Sequence, residues 1–343
     1  MPDTAFHFHP SNPAGALRQP DYWVWGSSAI RGEDGRYHLF TARWSKQVSF
    51  LHWATNSEII HSVADSPEGP YQFEDVVFGH EPESGRWDAG AVHNPSIHFH
   101  DGTYILFYIG VNYPGKRPDS ADREGLFSEK WVAAWNSKRI GMATAKSIYG
   151  PWKRLDAPIL LPRENEWDMA ITSNPAPCVL PDGSVTLIYK SANVQHPAGP
   201  FPGRFRLGVA RAPHWSQPFQ RLSDQPIEVV GYPDQHIEDP YVWHTGERFE
   251  MVVKDMVGEV VGEPQAGIYL HSEDAIHWEL GSPPMAYTRT VDFTDGTQRT
   301  FAKRERPQML VENGQPTHLF NAILEKNPDG GIVDSWNLVA TIR

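Results

Sequence analysis

The sequence predicts an all-β protein, a five-bladed β-propeller, on three observations: one motif is written twice, Asp-Gly turns join short apolar strands, and a polar leader precedes the first strand of each unit. The motif is Trp167-Asp168-Met169-Ala170-Ile171-Thr172-Ser173-Asn174-Pro175, matched by Trp87-Asp88-Ala89-Gly90-Ala91-Val92-His93-Asn94-Pro95 with the same Trp-Asp, gap and Asn-Pro. After each, an apolar strand runs to Asp182-Gly183 or Asp101-Gly102, and a second apolar strand leaves. Asp-Gly between apolar runs marks a hairpin, because glycine tolerates the positive φ of such turns.

Residues up to about Tyr22 read as an irregular arm, whose alternating Phe6-His7-Phe8-His9 is placed to add an outer strand to the last blade and close the ring. The first unit opens at Trp23–Ile30, turns at Asp34-Gly35, continues through Tyr37–Phe40 and ends with Ile59–Ala64. The second starts at Trp87 and closes with Ile140–Ala145; the third starts at Trp167 and includes Leu207–Arg211. The fourth begins His236-Ile237-Glu238-Asp239-Pro240, turns at Thr245-Gly246 and carries Gly267–Asp274 outside. The fifth begins Arg304-Glu305-Arg306-Pro307, turns at Asn313-Gly314 and ends in Trp336–Ala340. Proline is accepted at a strand's start and not in its middle, which fits these leaders. No long helical periodicity stands out, and Ser128–Ser137 reads as a helical turn or two in a long loop. A β-sandwich is the competing fold, but it needs no recurrent polar leader. Residues 1–343 are therefore one domain, with 1–22 as its arm.

Composition limits the functions. With 343 residues, 40% of them hydrophobic, the chain can bury a sizeable core. A formal net charge of −12, spread along the chain, argues against nucleic acid or an anionic membrane as partner. Thirteen tryptophans exceed what packing alone asks, so some are expected to line a binding surface. Cys178, the single cysteine, reads as a buried small residue. No run approaches the ~20 apolar residues of a membrane span. The start, Met1-Pro2-Asp3-Thr4-Ala5, has neither a basic nor an apolar signal region, so a cytoplasmic protein is the plain expectation; a removed signal would leave the same record.

In a propeller the first strands surround a channel, and their leading ends meet at its mouth. The leaders should bring together Trp23, Trp25 and Ser27; Asp88, His93 and Asn94; Asp168, Ser173 and Asn174; His236, Glu238 and Asp239; and Arg304, Glu305 and Arg306. In its units, their number and its Asp-Gly hairpins, nearly the whole chain resembles the five-bladed propeller glycoside hydrolases of families 32, 43, 68 and 117, family 43 above all. That resemblance implies release of single sugars, often furanoses or anhydro-sugars, from chain ends by inner-strand carboxylates. Family 43 places its general acid in a Glu-x-Pro leader, a form found in Glu238-Asp239-Pro240 and Glu305-Arg306-Pro307. Its general base, an Asp before Pro at the first blade, is missing, since Ser27-Ser28-Ala29 stands there.

Glycoside hydrolysis asks for one protonated and one ionised carboxyl across the scissile bond. Glu238 and Glu305 are the candidate acids. Asp88, or else Asp168, is the candidate base, and Asp239 orients its neighbours. Against these readings, each Trp-Asp could simply tie down a loop, and Glu305 could be satisfied by its flanking arginines. Trp25, His93, Asn94, Asn174, Lys190, His236, Lys254 and Arg306 are candidates to bind sugar, with Trp53 a further stacking platform. The expected substrate is a plant or algal oligosaccharide. No cofactor is required, although a structural cation in the channel fits the same arrangement; His93 and His236 lack metal-ligand spacing. Two alternatives stay open: a carbohydrate-binding propeller without catalysis, and a glycoside phosphorylase using Arg304 and Arg306 for phosphate.

Overall fold

A computed structural model describes residues 3–119, 128–197, 201, 203–234 and 236–343. It is a five-bladed β-propeller. The first blade pairs Tyr22–Arg31, Tyr37–Ser45, Glu58–Ala64 and Gln72–Phe78 in chain order. The second is Ala91–His100, Thr103–Val111, Arg139–Ala145 and Lys153–Arg154; the third is Ser173–Val179, Val185–Ser191, Arg206–Ala212 and Gln220–Arg221. Ile237–His244, Phe249–Asp255, Gly267–Ser272 and His277–Tyr287 form the fourth, edged by Glu228–Val229 running parallel to the last. The fifth holds Lys303–Glu312, Gln315–Lys326 and Ile332–Thr341. The arm runs beside that final strand: His9 N donates to Thr341 O at 2.9 Å, Arg343 N to His7 O at 2.9 Å and Asn337 N to Leu17 O at 3.0 Å.

Each blade's first strand packs against the next, and the first packs against the fifth, so the ring closes around an axis. Hydrophobic burial between blades holds the ring. Val24, Leu39 and Ile60 of the first blade meet Leu310, Phe320 and Val339 of the fifth, and Ile188 and Val209 of the third meet Val242, Met251 and Val253 of the fourth. Two hairpins turn through residues both at positive φ, Asp101 (43°) with Gly102 (68°) and Asn313 (52°) with Gly314 (77°). The His100↔Thr103 and Glu312↔Gln315 pairs that close these turns make two-residue loops.

One irregularity recurs in every blade and sets the site. Pairing of the first strand with the second jumps between Trp25 and Ser27, His93 and Ser96, Glu238 and Tyr241, and Glu305 and Gln308, and across Asn174-Pro175 in the third blade. Each jump is a bulge carrying one extra residue, and bulges re-aim side chains. Four bulge residues take left-handed backbone immediately before proline: Asn94 at φ 53°, Asn174 at 50°, Asp239 at 60° and Arg306 at 55°. Asn and Asp tolerate that region better than other residues, so Arg306 is the most strained of the four. In the first blade the bulge residue is Gly26.

Candidate active site

The bulges aim their side chains at the axis. Asp239 Oδ1 accepts from Asn174 Nδ2 at 2.5 Å and from Arg306 Nη1 at 2.8 Å, tying three blades together. A methyl group placed on Gly26 would lie 3.2 Å from Asn94 Oδ1 and from Arg306 Nε, which puts Gly26 in the same ring. Above the ring opens a cavity of about 190 Å³, lined by Trp25, Trp53, His93, Asn94, Asn174, Lys190, Glu238, Asp239, Glu305 and Arg306 among others.

The floor of this cavity is ionic. Glu238 Oε1 accepts from Lys254 Nζ at 2.6 Å and Oε2 from Lys190 Nζ at 2.9 Å. Lys254 Nζ also lies 3.1 Å from Asp239 Oδ2 and 3.0 Å from Glu305 Oε1. Burial alone would raise the Glu238 carboxyl, but the Lys190 and Lys254 charges outweigh it and hold the group well below the usual carboxylate range. Asp239 is lowered by the same contest, with burial and Glu238 opposed by Lys254, Arg306 and Lys190. For Lys254, burial works downward while Asp239, Glu238 and Glu305 push up, and the ammonium ends well above the ordinary lysine value. Oxygens of Glu238, Asp239 and Glu305 lie within 4.8 Å of one another, a donor set that suits a metal ion. The positive charge such an ion would bring is brought here by Lys254.

The wall is aromatic. The helix Glu129–Asn136 begins where Ser128 Oγ accepts from Trp131 N at 3.2 Å, and its Trp131 and Trp135 are buried. Trp135, Trp53, Trp44, Trp25, Phe50 and Phe205 all face the cavity. Lys138, directly after the helix, reaches between two of these rings, with Nζ 4.7 Å from the Trp53 centroid and 4.3 Å from that of Trp135. It is 2% exposed and lines the cavity. Burial, then the Lys190 charge, drive its amine well below the ordinary lysine value, against a smaller pull from Glu238 and Asp239. His93 is likewise held well below the ordinary imidazole value by burial, then by Lys138, Arg306 and Lys190. A neutral His93 therefore presents to the cavity, and its Nε2 has no hydrogen-bond partner among the described residues.

Several expectations need correction. Asp88 does not reach the cavity; Arg86 Nε (3.0 Å), Tyr108 OH (2.7 Å) and Arg154 Nη1 (3.4 Å) saturate it inside the second blade. Asp168 is held identically in the third blade by Arg163 Nε (2.9 Å), Tyr189 OH (2.8 Å) and Arg221 Nε (2.7 Å). The repeated Trp-Asp is thus a clasp joining a blade's leader to its second and fourth strands, and neither carboxylate lines the cavity. Glu238 is unsuited to be the acid, because an ammonium group engages each of its oxygens. The first-blade residue in register with Asn94, Asn174, Asp239 and Arg306 is Gly26 rather than Ser27. Arg304 points away from the cavity, donating to Asn321 Oδ1 and Thr288 O at 2.9 Å each, so it does not pair with Arg306 to receive phosphate. His236 does not line the cavity but packs edge-on against Phe205, which does. Reading the leaders alone missed Trp44, Phe50, Trp135, Lys138, Phe205 and Lys303, which reach the cavity from a second strand, short helices, loops and, for Lys303, the start of the fifth blade's first strand.

The chain matches no protein-family model and no curated protein. It is similar in fold to several solved structures. BT0996 in an RGII complex superposes with a TM-score of 0.68 at 13% identity, covering 97% of this protein and 92% of that one. Zg3597, a family 117 glycoside hydrolase of the marine bacterium Zobellia galactanivorans, gives 0.62 at 16% identity over 98% and 89%. A thermostable family-43 glycoside hydrolase gives 0.59 at 15% identity over 98% and 96%.

Proposed function

We propose that the cavity is the active site of a glycoside hydrolase that removes a terminal sugar from a plant or algal oligosaccharide. The observation that carries this reading is the convergence of Glu238 and Glu305, from two neighbouring leaders, at the bottom of one aromatic-lined cavity. The cavity, of about 190 Å³, is a single compact space at the channel mouth rather than a long groove, which suits one sugar ring better than a run of them. Glu238, held ionised, is the group to activate water. Glu305 makes both its ion pairs through Oε1, to Lys254 at 3.0 Å and Lys303 at 2.9 Å, so Oε2 lies outside both pairs, and the proton that passes to the leaving oxygen is taken up there from solvent as the substrate binds. As the water oxygen bonds to the anomeric carbon, its proton passes to Glu238. The glycosidic C–O bond breaks, and the leaving oxygen takes the proton of Glu305. Asp239, fully engaged by Asn174, Arg306 and Lys254, positions the floor. The likeness of fold to glycoside hydrolases supports the class of reaction by analogy only.

One observation favours a second reading, a propeller that binds carbohydrate without cleaving it. Each oxygen of Glu238 already accepts from a lysine, so a base must give up one of these bonds to act. A panel of oligosaccharides, offered with and without phosphate and read by monosaccharide release, separates the two. Release by the native protein, lowered about 10²-fold or more in Glu238→Gln and in Glu305→Gln, is the expected result. Tight binding with no release anywhere on the panel would make it a binding propeller.

A further inference from the structure

Among the described residues, every cation at the cavity except one is matched to a carboxylate. Lys190 is on Glu238, Lys254 on all three acids, Lys303 on Glu305 and Arg306 on Asp239. The Lys138 side chain has no hydrogen-bond or ion-pair partner among the described residues, only the faces of Trp53 and Trp135. Five basic side chains thus meet three carboxylates, and the unmatched one is buried yet borders the empty volume. A buried ammonium ion with unsatisfied donors is costly, and two indole faces replace little of its hydration. A neutral hydroxyl would accept one hydrogen bond but bring no negative charge to hold a proton on Lys138. An anion would do both.

We propose that the cavity takes a sugar bearing an anionic group, a carboxylate or a sulfate, and that the Lys138 ammonium receives that group between Trp53 and Trp135. The proposal rests on reading the cavity as a sugar site and adds the class of sugar. It also predicts coupled proton uptake. In the empty cavity Lys138 faces Lys190, which disfavours its proton, and Glu238 and Asp239, which favour it. Its charge in turn lowers His93 from the second blade's first strand and His196 from the loop beyond Ser191. An arriving anion tips this balance toward the ammonium form. Affinity for an anionic sugar should therefore fall as pH rises through the empty-state value of Lys138 and on toward the ordinary lysine value of about 10.4.

The test is calorimetric binding of single sugars, which is independent of turnover. The probes are D-galacturonate, D-glucuronate and galactose 6-sulfate, against D-galactose, D-glucose, D-xylose and L-arabinose, in buffers of different ionisation enthalpy. The native protein should bind an anionic sugar ~10- to 100-fold more tightly than its neutral counterpart, the scale of a hydrogen bond to a charged group, and take up protons as it does so. The carboxylate and sulfate arms show which anion is preferred. Lys138→Met keeps an apolar stem between the rings and should erase the preference while retaining neutral-sugar binding; Lys138→Arg should restore much of it. Neutral sugars bound as tightly as anionic ones, or a preference surviving in Lys138→Met, would overturn the proposal. Turnover of neutral oligosaccharides without any preference for anions would do so too, while leaving the hydrolase reading intact. A preference with no turnover of any substrate would sink the hydrolase reading alone.

Discussion

Lys254 beneath the floor and Lys138 in the wall are buried to nearly the same degree, at 1% and 2% exposure; Lys138 lines the cavity, and Lys254 holds the three carboxylates that do. Lys254 ends a second strand, where the bulges of the fourth and fifth blades deliver Glu238, Asp239 and Glu305 around it. Lys138 follows a helix whose inward face is tryptophan, and the charge that acts on it most strongly is another lysine, Lys190. Burial pushes both amines down. Only in the floor is there enough negative charge to reverse the sign. Neighbours rather than depth decide whether a buried lysine is a fixed cation or one that waits for its anion.

The largest effect expected from breaking this contrast is on the floor. Lys254→Met should destabilise the fold by about 3–5 kcal/mol in chemical denaturation, because it leaves buried carboxylates without their shared cation. Little loss would mean that the carboxylates are neutralised some other way. Next is chemistry: Glu238→Gln should fold normally and lose about 10²-fold or more in turnover, roughly 2.7 kcal/mol of barrier. Acid should act on the same floor. The folded-state values of Glu238 and Asp239 are depressed, so their contribution is present above the ordinary carboxylate pKa of about 4 and is lost as pH falls through the depressed values. Denaturation curves across that window should flatten in Glu238→Gln.

The propeller was legible because each blade repeats its turn and its leader, and repetition survives sequence divergence. The floor was legible for the same reason: Glu238, Asp239, Glu305 and Arg306 stand in leaders. Three things were not. Asp88 and Asp168 look alike because they are alike, and their clasping arginines, Arg154 and Arg221, come from fourth strands of two residues that carry no pattern. The first-blade bulge lies one residue earlier than proline-based counting puts it, since Gly26 bulges without a following proline. Lys138 belongs to no repeat; the eight-residue helix Glu129–Asn136 delivers it, where the first blade has only the four-residue helix Trp53–Asn56. A signal was present in Trp131 and Trp135, spaced as one face of a helix that ends just before a lysine.

Smaller effects sharpen the comparison. Asp88→Asn and Asp168→Asn should each cost about 1.5–3 kcal/mol of stability and leave turnover per folded molecule unchanged, the mark of a clasp and not of a base. Loss of turnover in either, with stability intact, would return that carboxylate to the mechanism. Lys138→Met should raise stability at neutral pH by roughly 1 kcal/mol, opposite in sign to Lys254→Met. The folded-state value of Lys138 is lowered, so the unfolded chain binds the extra proton and wild-type stability climbs with pH. The gain in Lys138→Met should therefore shrink toward about pH 10.4.

Nitrogen NMR of protein labelled with 15N-lysine follows both amines at once and tests the opposition between floor and wall most directly, with assignments from Lys138→Arg and Lys254→Met. The Lys138 amine should lose its proton well below the ordinary value of about 10.4 and regain it when D-galacturonate or galactose 6-sulfate is added, while Lys254 stays an ammonium ion beyond that value. A Lys138 signal that titrates with the surface lysines and ignores both sugars would contradict the account.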